Sequence, residues 1–510
     1  VGDASAWSAA TGNEESLWLL EKFVPDSAVN NVAFAFRVPG TLRRDTLNSA
    51  LRHVIAQHDA LRTRFRVDES RLVKSVADTA VEFEAVTDLV GFANQVLPLD
   101  GRPLLRAGIH SGPNGDEVCL VAHHLVFDAI SAFALGESLA AAYDAIEDHR
   151  EPEPVSSAQP TQGQPSDFWR DHLDGFDPDR LRLNIDTHES PQWTLAGSEV
   201  DYHLRAEVPN VIRRLRKEMR APDAVVLLAA YYVLLASHGA GPDLVVGCPF
   251  TTRDESSARA IGFHVNVLPL RASVDRTVTF RHLTRELRTL FFAAMDNTAV
   301  DVDAVLPQST RSSWRNPIFR HVFNYVPTGT DMTFQIGGLT AEQVPLEARF
   351  AKFDLEFFLL AAPDDLRLRA VYSTEVHSAR DVEALLRRYE AVLLALDANV
   401  DQPIGEIPLW AGLDWSSPAP PHPAVVEPVA ALDANDALVQ TFVGLWKQML
   451  TRDDLDADSN FFANGGQSLL AALLAQRAEE VAGVPIPLAE FFTHATPATL
   501  AAYVRAGQAA

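Results

Sequence analysis

The chain has 510 residues, 47% hydrophobic and 22% charged, and a formal net charge of −25. That length suits roughly three or four domains with a large buried core. An acid surplus without a basic run argues against nucleic acid or an anionic membrane as partner. Cys119 and Cys248 sit inside apolar runs as small core residues, which fits a reducing cytoplasm. The longest apolar segment, Ala224–Ala236, falls short of the roughly 20 residues of a membrane span and reads as a buried helix. No signal peptide is visible, and Val1 in place of Met leads us to expect an excised or processed piece.

Leu17–Leu20 precedes a strand-like alternation over Val32–Val38, and Pro39-Gly40 makes a turn. Leu47, Leu51, Val54 and Ile55 recur at helical spacing, which predicts a helix over Leu42–Phe65 that closes on the charged cluster His58–Phe65. Leu72–Val81, Leu104–Gly108 and Glu117–Val121 read as strands. In Val118–Ser131 an apolar run delivers His123 and His124. Asp128 follows, then a helical stripe through Leu135, Leu139, Ala142 and Ile146. Two histidines at the end of a buried strand are costly unless they are bonded or used. Three readings compete. A metal site from His124 and Asp128 lacks a third ligand. Asp128 can instead cap the following helix while the histidines pack. Or one histidine serves acid–base or electrostatic catalysis.

Glu151–Gln164, rich in Pro, Ser and Gln, reads as a surface crossing to a second lobe. There we expect a short helix in Pro165–Leu173, strand Ser198–Leu204, helix Val208–Met219, buried helix Pro222–His238 and strand Leu244–Cys248. Pro269 demotes Ile261–Arg271 to an edge or interrupted strand. Helix Thr279–Met295, segment Arg315–Phe319, strand His321–Val326, the run Lys352–Leu360 and helix Ala379–Leu396 complete the lobe. Ala411–Asn435 holds five prolines and reads as a linker. A small helical domain follows, with Leu438, Phe442, Leu445 and Met449 on one face. In its loop Asp458–Leu469 the pair Gly465-Gly466 permits a tight turn and leaves Ser468 at a helix start. Such a serine is either an N-cap or a place where a phosphodiester meets free N–H groups and the helix dipole.

Asp458–Leu469 closely resembles the D-x-x-F-F-x-x-G-G-x-S-L signature of peptidyl carrier domains. In that family the serine bears 4′-phosphopantetheine, so the resemblance implies Ser468 as the attachment site. Gln467 stands where His or Asp is usual. His123–Asp128 looks like the H-H-x-x-x-D-G motif of condensation domains of nonribosomal peptide synthetases. Leu17–Leu20, His58–Phe65, Ile261–Arg271, Arg315–Phe319 and Lys352–Leu355 resemble that family's other core motifs, in its order. The implied fold is α/β: two chloramphenicol-acetyltransferase-like lobes in a V, then a four-helix carrier. The implied boundaries are a condensation domain over 1–410 (lobes about 1–160 and 165–410), a linker over 411–435 and the carrier over 436–510.

By match, His124 is the functional histidine, deprotonating or holding the nucleophile, and His123 supports it. Asp128 is an organiser that pairs with an arginine across the lobe junction, with Arg271 the best match and Arg62 the second. Ala129 replaces the motif's glycine and His264 a usual aromatic residue. Epimerisation domains share an Asp-Ala here, but the other motifs follow the condensation pattern. Cyclising relatives carry aspartates in place of the histidines. The implied reaction is amide formation between an acyl or peptidyl thioester and an amine on the carrier, in cytoplasmic secondary-metabolite biosynthesis. Ester formation, epimerisation-like activity and an inactive platform that recruits partners are the alternatives. The implied partners are an upstream donor carrier and a phosphopantetheinyl transferase. No adenylation domain fits between about 410 and 436, so a trans-acting adenylation or loading enzyme is expected as well. No metal is expected.

Overall fold

Apolar strands build the first lobe's sheet. Strands Asn31–Val38 and Gly115–His123 run antiparallel, with Asn31 opposite His123 and Val38 opposite Asp116. Leu105–Gly112 pairs on the far side of Gly115–His123, and Phe83–Ala85 adds in parallel at that edge. Helices Arg44–Gln57 and Ala129–Glu147 bury Leu47, Leu51, Val54, Leu135 and Leu139 in one core with Phe34 and Phe36. Each such side chain contributes about 1.5–3 kcal/mol by leaving water. Asn31–Val38 sets Val32, Phe34, Phe36 and Val38 on one face, so a slip of one residue would turn them away from this core. Ala129–Glu147 is long and apolar enough by composition to cross a membrane, but its buried residues belong to this core. The computed structural model describes residues 7–24, 27–68, 71–154, 163–185, 194–305, 318–327, 333–362, 366–407, 436–462, 464 and 468–509. The expected linker 411–435, most of the crossing 151–164 and residues 315–317 lie outside the described residues.

The helix predicted over Leu42–Phe65 is shorter. It ends at Gln57, His58 is extended, Asp59–Arg62 makes one turn, and Thr63–Asp68 is a strand paired with Arg71–Val76. Thr63–Val67 alternates with period two around the buried Phe65, and the helical count running through Leu61 hides that change of period.

The second lobe has a six-stranded sheet in the order Val265–Ser273, Asp243–Thr251, His321–Pro327, Leu355–Ala361, Leu366–Ser373, Gly197–His203. Pro269 lies on the edge strand opposite Gly247, where a missing N–H costs no ladder bond. Helices Asp223–Ser237 and Ala379–Ala398 pack together with Leu355, Phe357 and Leu359. A hairpin, Thr333–Ile336 and Leu339–Val344, leaves this stretch of sequence and joins the first lobe's sheet, with Val344 opposite Ala35. Its Phe334 packs on Phe34 and Phe36.

Helices Ala437–Leu450, Ser468–Ala482, Leu488–Thr493 and Pro497–Ala509 surround Phe442, Trp446, Phe461 and Phe491. Two of them, Ser468–Ala482 and Leu488–Thr493, also pack on Gly12–Phe23 of the first lobe. Ala472 touches both cores.

A buried ion pair ties the lobes. Arg253 donates from Nη1 to Asp128 Oδ2 at 2.7 Å and from Nη2 to Oδ1 at 2.8 Å. The two side chains are 3% and 4% exposed. The Ser131 N–H and hydroxyl donate to Oδ1, and the His264 N–H donates to Oδ2 at 3.0 Å. Burial pushes the Asp128 pKa up, but the hydrogen bonds and charge of Arg253 and the donors of Ser131 outweigh it, and the net direction is down.

The pairing expected with Arg271 does not form. Arg271 is bidentate to Asp243 on the neighbouring strand and donates to the carbonyls of His172 and Asp174. Arg62 pairs with Asp59 and Asp78. The reason is reach. Extended chain at about 3.3 Å per residue puts Arg271 roughly 23 Å from His264, which touches Asp128. Arg253 instead follows the end of strand Asp243–Thr251 and turns back on the carbonyl of Ala260.

Asp128→Asn keeps the shape but strands a buried guanidinium. Its unfolding free energy should fall by about 3–5 kcal/mol, read from urea denaturation. A loss under about 1 kcal/mol would show that the pair does not hold the fold. His58 supplies a second prediction. It is 0% exposed and neither ring nitrogen has a partner, so burial pushes its pKa down to about 4. An unfolded histidine titrates near about 6.5, so between those values the unfolded chain binds the extra proton and stability falls as pH falls. His58→Leu should therefore spare about 2 kcal/mol of the loss between pH 7 and 5, seen as a flatter plot of unfolding free energy against pH.

Candidate active site

His123 ends its strand with its ring 1% exposed. The Leu125 N–H donates to Nδ1 at 3.1 Å, so Nε2 carries the proton and donates to Glu21 Oε1. Glu21 lies on helix Gly12–Phe23, which starts with a capping box between Thr11 and Glu14. Asn30 Nδ2 donates to the same Glu21 oxygen at 2.9 Å and to the Leu17 carbonyl. Every polar atom of the His123 ring is thus engaged, and the residue is a strut.

His124 is held differently. Its N–H donates to the Asn30 carbonyl at 2.7 Å. Its Nδ1 is buried without a partner, and Nε2 has none among the described residues but is not enclosed. Phe263 of the second lobe meets the ring edge-on at 5.2 Å between centroids. Burial first, and then the charge of Lys352, pushes the His124 pKa down to about 3. The imidazole is neutral at any ordinary pH. It can accept a hydrogen bond and take a proton only as positive charge develops on its partner.

Asp128 organises this turn without touching the His124 ring. It caps helix Ala129–Glu147 through Ser131 and binds Arg253, so it is both a cap and a cross-lobe organiser. Arg271 and Arg62 lie away from the cluster, in the pairs described above. Ala129 and Ile130 are exposed on the first turn, Ile130 at 45%. His264 holds the Asp128 carboxylate through its backbone N–H, so the exchange of an aromatic side chain there leaves that bond intact.

Three participants carry no role in the sequence reading. Arg253 lies between motifs, and its only signal is a lone arginine just past a strand end. Glu21 sits four residues after Leu17 on the same helix. Lys352 opens a motif quoted above, and only burial beside His124 singles it out.

Ser468 begins a 15-residue helix, with its backbone at the end where N–H groups are free. Its side chain and Gly465–Gln467 lie outside the described residues. That helix packs against Gly12–Phe23, the helix that supplies Glu21. Among the described residues no cluster of three His, Cys, Asp or Glu is placed to hold a metal ion.

A family model for the condensation domain matches residues 13–411, and one for the phosphopantetheine attachment site matches residues 440–504. Surfactin synthase subunit 1 from Bacillus subtilis (strain 168) is 26% identical over 418 residues, covering 78% of this chain and 12% of that protein. Isonitrile lipopeptide synthase from Mycobacterium tuberculosis is 25% identical over 510 residues, covering 88% and 20%. Tyrocidine synthase 3 from Brevibacillus parabrevis is 25% identical over 506 residues, covering 92% and 8%. The chain therefore spans a fifth or less of the length of these relatives. Among solved structures, the X-domain from teicoplanin biosynthesis has a TM-score of 0.67 at 21% identity, over 78% of this chain and 97% of that one. The starter condensation domain of rhizomide synthetase RzmA has a TM-score of 0.63 at 19% identity, over 79% and 100%. At these identities the structural likeness is one of fold. The family model reaches over most of the chain and spans the His123–Asp128 turn, both lobes and the crossing hairpin. The chain belongs to the condensation-domain family of nonribosomal peptide synthetases, followed by a carrier domain of the kind that bears 4′-phosphopantetheine covalently on a serine.

Proposed function

We propose that this chain joins an acyl or peptidyl thioester to an amine carried on its own C-terminal domain, forming an amide. One observation carries the reading. The unpartnered, unenclosed Nε2 of a neutral His124 lies where the lobes meet, and the carrier helix starting at Ser468 packs on the helix that locks the neighbouring His123.

Ser468 fits the attachment role, because a helix N-terminus with free N–H groups favours a phosphodiester. When bound there, 4′-phosphopantetheine supplies a flexible tether and a thiol for the acceptor. The chain's own residues do the rest. The amine attacks the donor's carbonyl carbon, and the C=O electron pair moves to oxygen. His124 Nε2 accepts a hydrogen bond from the attacking amine, aims its lone pair and relays its proton to the departing donor sulfur. The C–N bond forms, the C–S bond breaks, and the proton ends on the released thiol. General-base help is worth about 10²–10⁴-fold. Holding the reactants together supplies much of the remainder. A hydroxyl acceptor would give an ester by the same steps.

The donor arrives on an upstream carrier, and a separate adenylation or loading enzyme charges Ser468 after a phosphopantetheinyl transferase has modified it. Cys119 and Cys248, both free and buried, suit a reducing cytoplasm. Condensation and carrier units divide near the matched ranges 13–411 and 440–504.

Intact-protein mass spectrometry should show wild type gaining the cofactor mass and Ser468→Ala gaining none. With amine and hydroxyl acceptors loaded in parallel and a donor thioester supplied, wild type carrying the amine should gain the donor acyl mass on its carrier arm and free the donor thiol. His124→Ala should be about 10²–10⁴-fold slower. A correctly loaded wild type that condenses neither acceptor would defeat the proposal.

A further inference from the structure

The second lobe's sheet has one face that its core does not use up. Phe357 and Leu359 of strand Leu355–Ala361 lie in one core with helices Asp223–Ser237 and Ala379–Ala398. Side chains alternate along a strand, so Glu356, Phe358 and Leu360 point the other way. Asn324 is opposite Phe358 and Val326 is opposite Leu360, on that same face. Phe319 covers it at Gly247, where an added β-carbon would come within 2.9 Å of the Phe319 ring. Val326, Phe358 and Leu360 stay half-buried, and they belong to neither lobe's hydrophobic core among the described residues. Apolar side chains grouped on an open face mark a binding surface, which single scattered ones do not.

This face is a wall of the cleft between the lobes. At one side Phe263, two residues before strand Val265–Ser273, meets the His124 ring at 5.2 Å. At the other, Arg369, opposite Phe358, donates to the Leu346 carbonyl at 3.4 Å, and Leu346 packs on the first-lobe core. The register places the apolar strip between these two contacts. Val265 is opposite Thr251, and Gly247 of that strand is opposite Val322. Val326 is therefore level with Val265 two strands away, and Leu360 is one strand further. At about 4.8 Å per strand the strip begins roughly 10 Å from Val265. Its polar neighbours are bonded to one another. Asn324 Nδ2 donates to Glu356 Oε1 at 2.7 Å, and Arg369 is paired with Glu199. What is left open is ground for an apolar group, which gains by leaving water.

The position of the carrier selects the occupant. Carrier helix Ser468–Ala482 packs on Gly12–Phe23, which also packs on Val302–Val305. Just before Val302–Val305, the Val300 carbonyl accepts from Asn266 Nδ2 at 2.7 Å, on the edge strand Val265–Ser273. The carrier thus sits on the edge-strand side of the cleft, and the strip lies across the sheet from it. We infer that Val326, Phe358 and Leu360 form a binding site for an apolar acyl group on the donor thioester, and so select donors by chain length. This site presupposes the amide-forming reading and adds the chemical class of the donor.

The test uses the full chain with glycine on its carrier arm and the N-acetylcysteamine thioesters of acetate and hexanoate as donors. Single-turnover rates over a range of donor concentration give the selectivity. Wild type should favour hexanoyl over acetyl by about 10–10²-fold, since each fully buried CH₂ is worth about fourfold. Acetyl is too short to reach the strip, so Leu360→Asp should cut this ratio about tenfold, chiefly by raising the half-saturating concentration of hexanoyl donor. A ratio is insensitive to a fraction of inactive protein. If Leu360→Asp does not fold, the near-isosteric Val326→Thr should cut the ratio about threefold. A wild-type ratio near one overturns the inference, and so does an unchanged ratio in folded Leu360→Asp, or in Val326→Thr where only that variant folds. Leucine in place of glycine on the arm tests the other occupant. If Leu360→Asp alters the preference between leucine and glycine and not that between donors, the strip serves the acceptor and the inference fails. A wild type that forms no product from either donor condemns the amide-forming reading instead.

Discussion

Asp128 is a carboxylate with almost no access to water, and the groups that make its charge tolerable come from both lobes. Ser131 belongs to the first lobe, while Arg253 and the N–H of His264 belong to the second. A buried charge with its partners removed costs several kcal/mol, whereas a fully bonded one is near break-even. The pair therefore adds little net stability but makes separation of the lobes expensive. Because Asp128 also caps helix Ala129–Glu147, the same bonds fix where that helix begins. The turn His124–Phe127 is suspended between two fixed points, the strand ending at His123 and the cap at Asp128.

Other ties point the same way. Glu21 holds the His123 ring from a helix at the front of the chain, and the hairpin through Phe334 extends the first lobe's sheet with residues from the second lobe's stretch. Each tie links segments far apart in sequence, so the His123–Asp128 turn is assembled only in the finished fold. Its electrostatics follow from that enclosure. Burial keeps His124 neutral and lowers the Lys352 pKa to about 8, which makes its ammonium a stronger acid.

Much of the fold was legible because burial writes a period. Asn31–Val38 shows it by alternation, Gly115–His123 as a run buried on both faces, Asp223–Ser237 as a helix apolar all round, and Pro269 as a strand confined to an edge. The adjacent histidines and the Asp458–Leu469 loop were legible as motifs. Less was legible wherever a period changed or a contact spanned distance. Thr63–Val67 alternates as a strand directly after a helical count, so one pattern masks the other. The hairpin Thr333–Val344 alternates like any strand, and nothing local says which lobe's sheet it joins. Arg271 was attractive because it closes a motif. Partner choice for Asp128 is a matter of reach, and reach depends on the turn of chain at Arg253–Ala260, which no spacing rule encodes. Lys352 opens a quoted motif, and only its electrostatic neighbours Glu21 and His124, both distant in sequence, set it apart.

The carrier extends this logic from fixed to movable parts. Its helix Ser468–Ala482 packs on the outside of helix Gly12–Phe23, and Glu21 of that helix braces His123 from within. One helix therefore serves both as the docking face for the domain that bears the attachment serine and as the brace of the strand end that presents His124. A shift of this helix under the docked carrier would bear on the Glu21–His123 bond, and through it on the turn. Burial argues against a large shift, since Trp18 and Leu19 of the helix are packed into the first-lobe core. The helix is therefore better described as a stiff plate between the carrier and the His123–Asp128 turn. A change in the distance between Ser468 and His124 therefore has to come from the carrier and not from this helix.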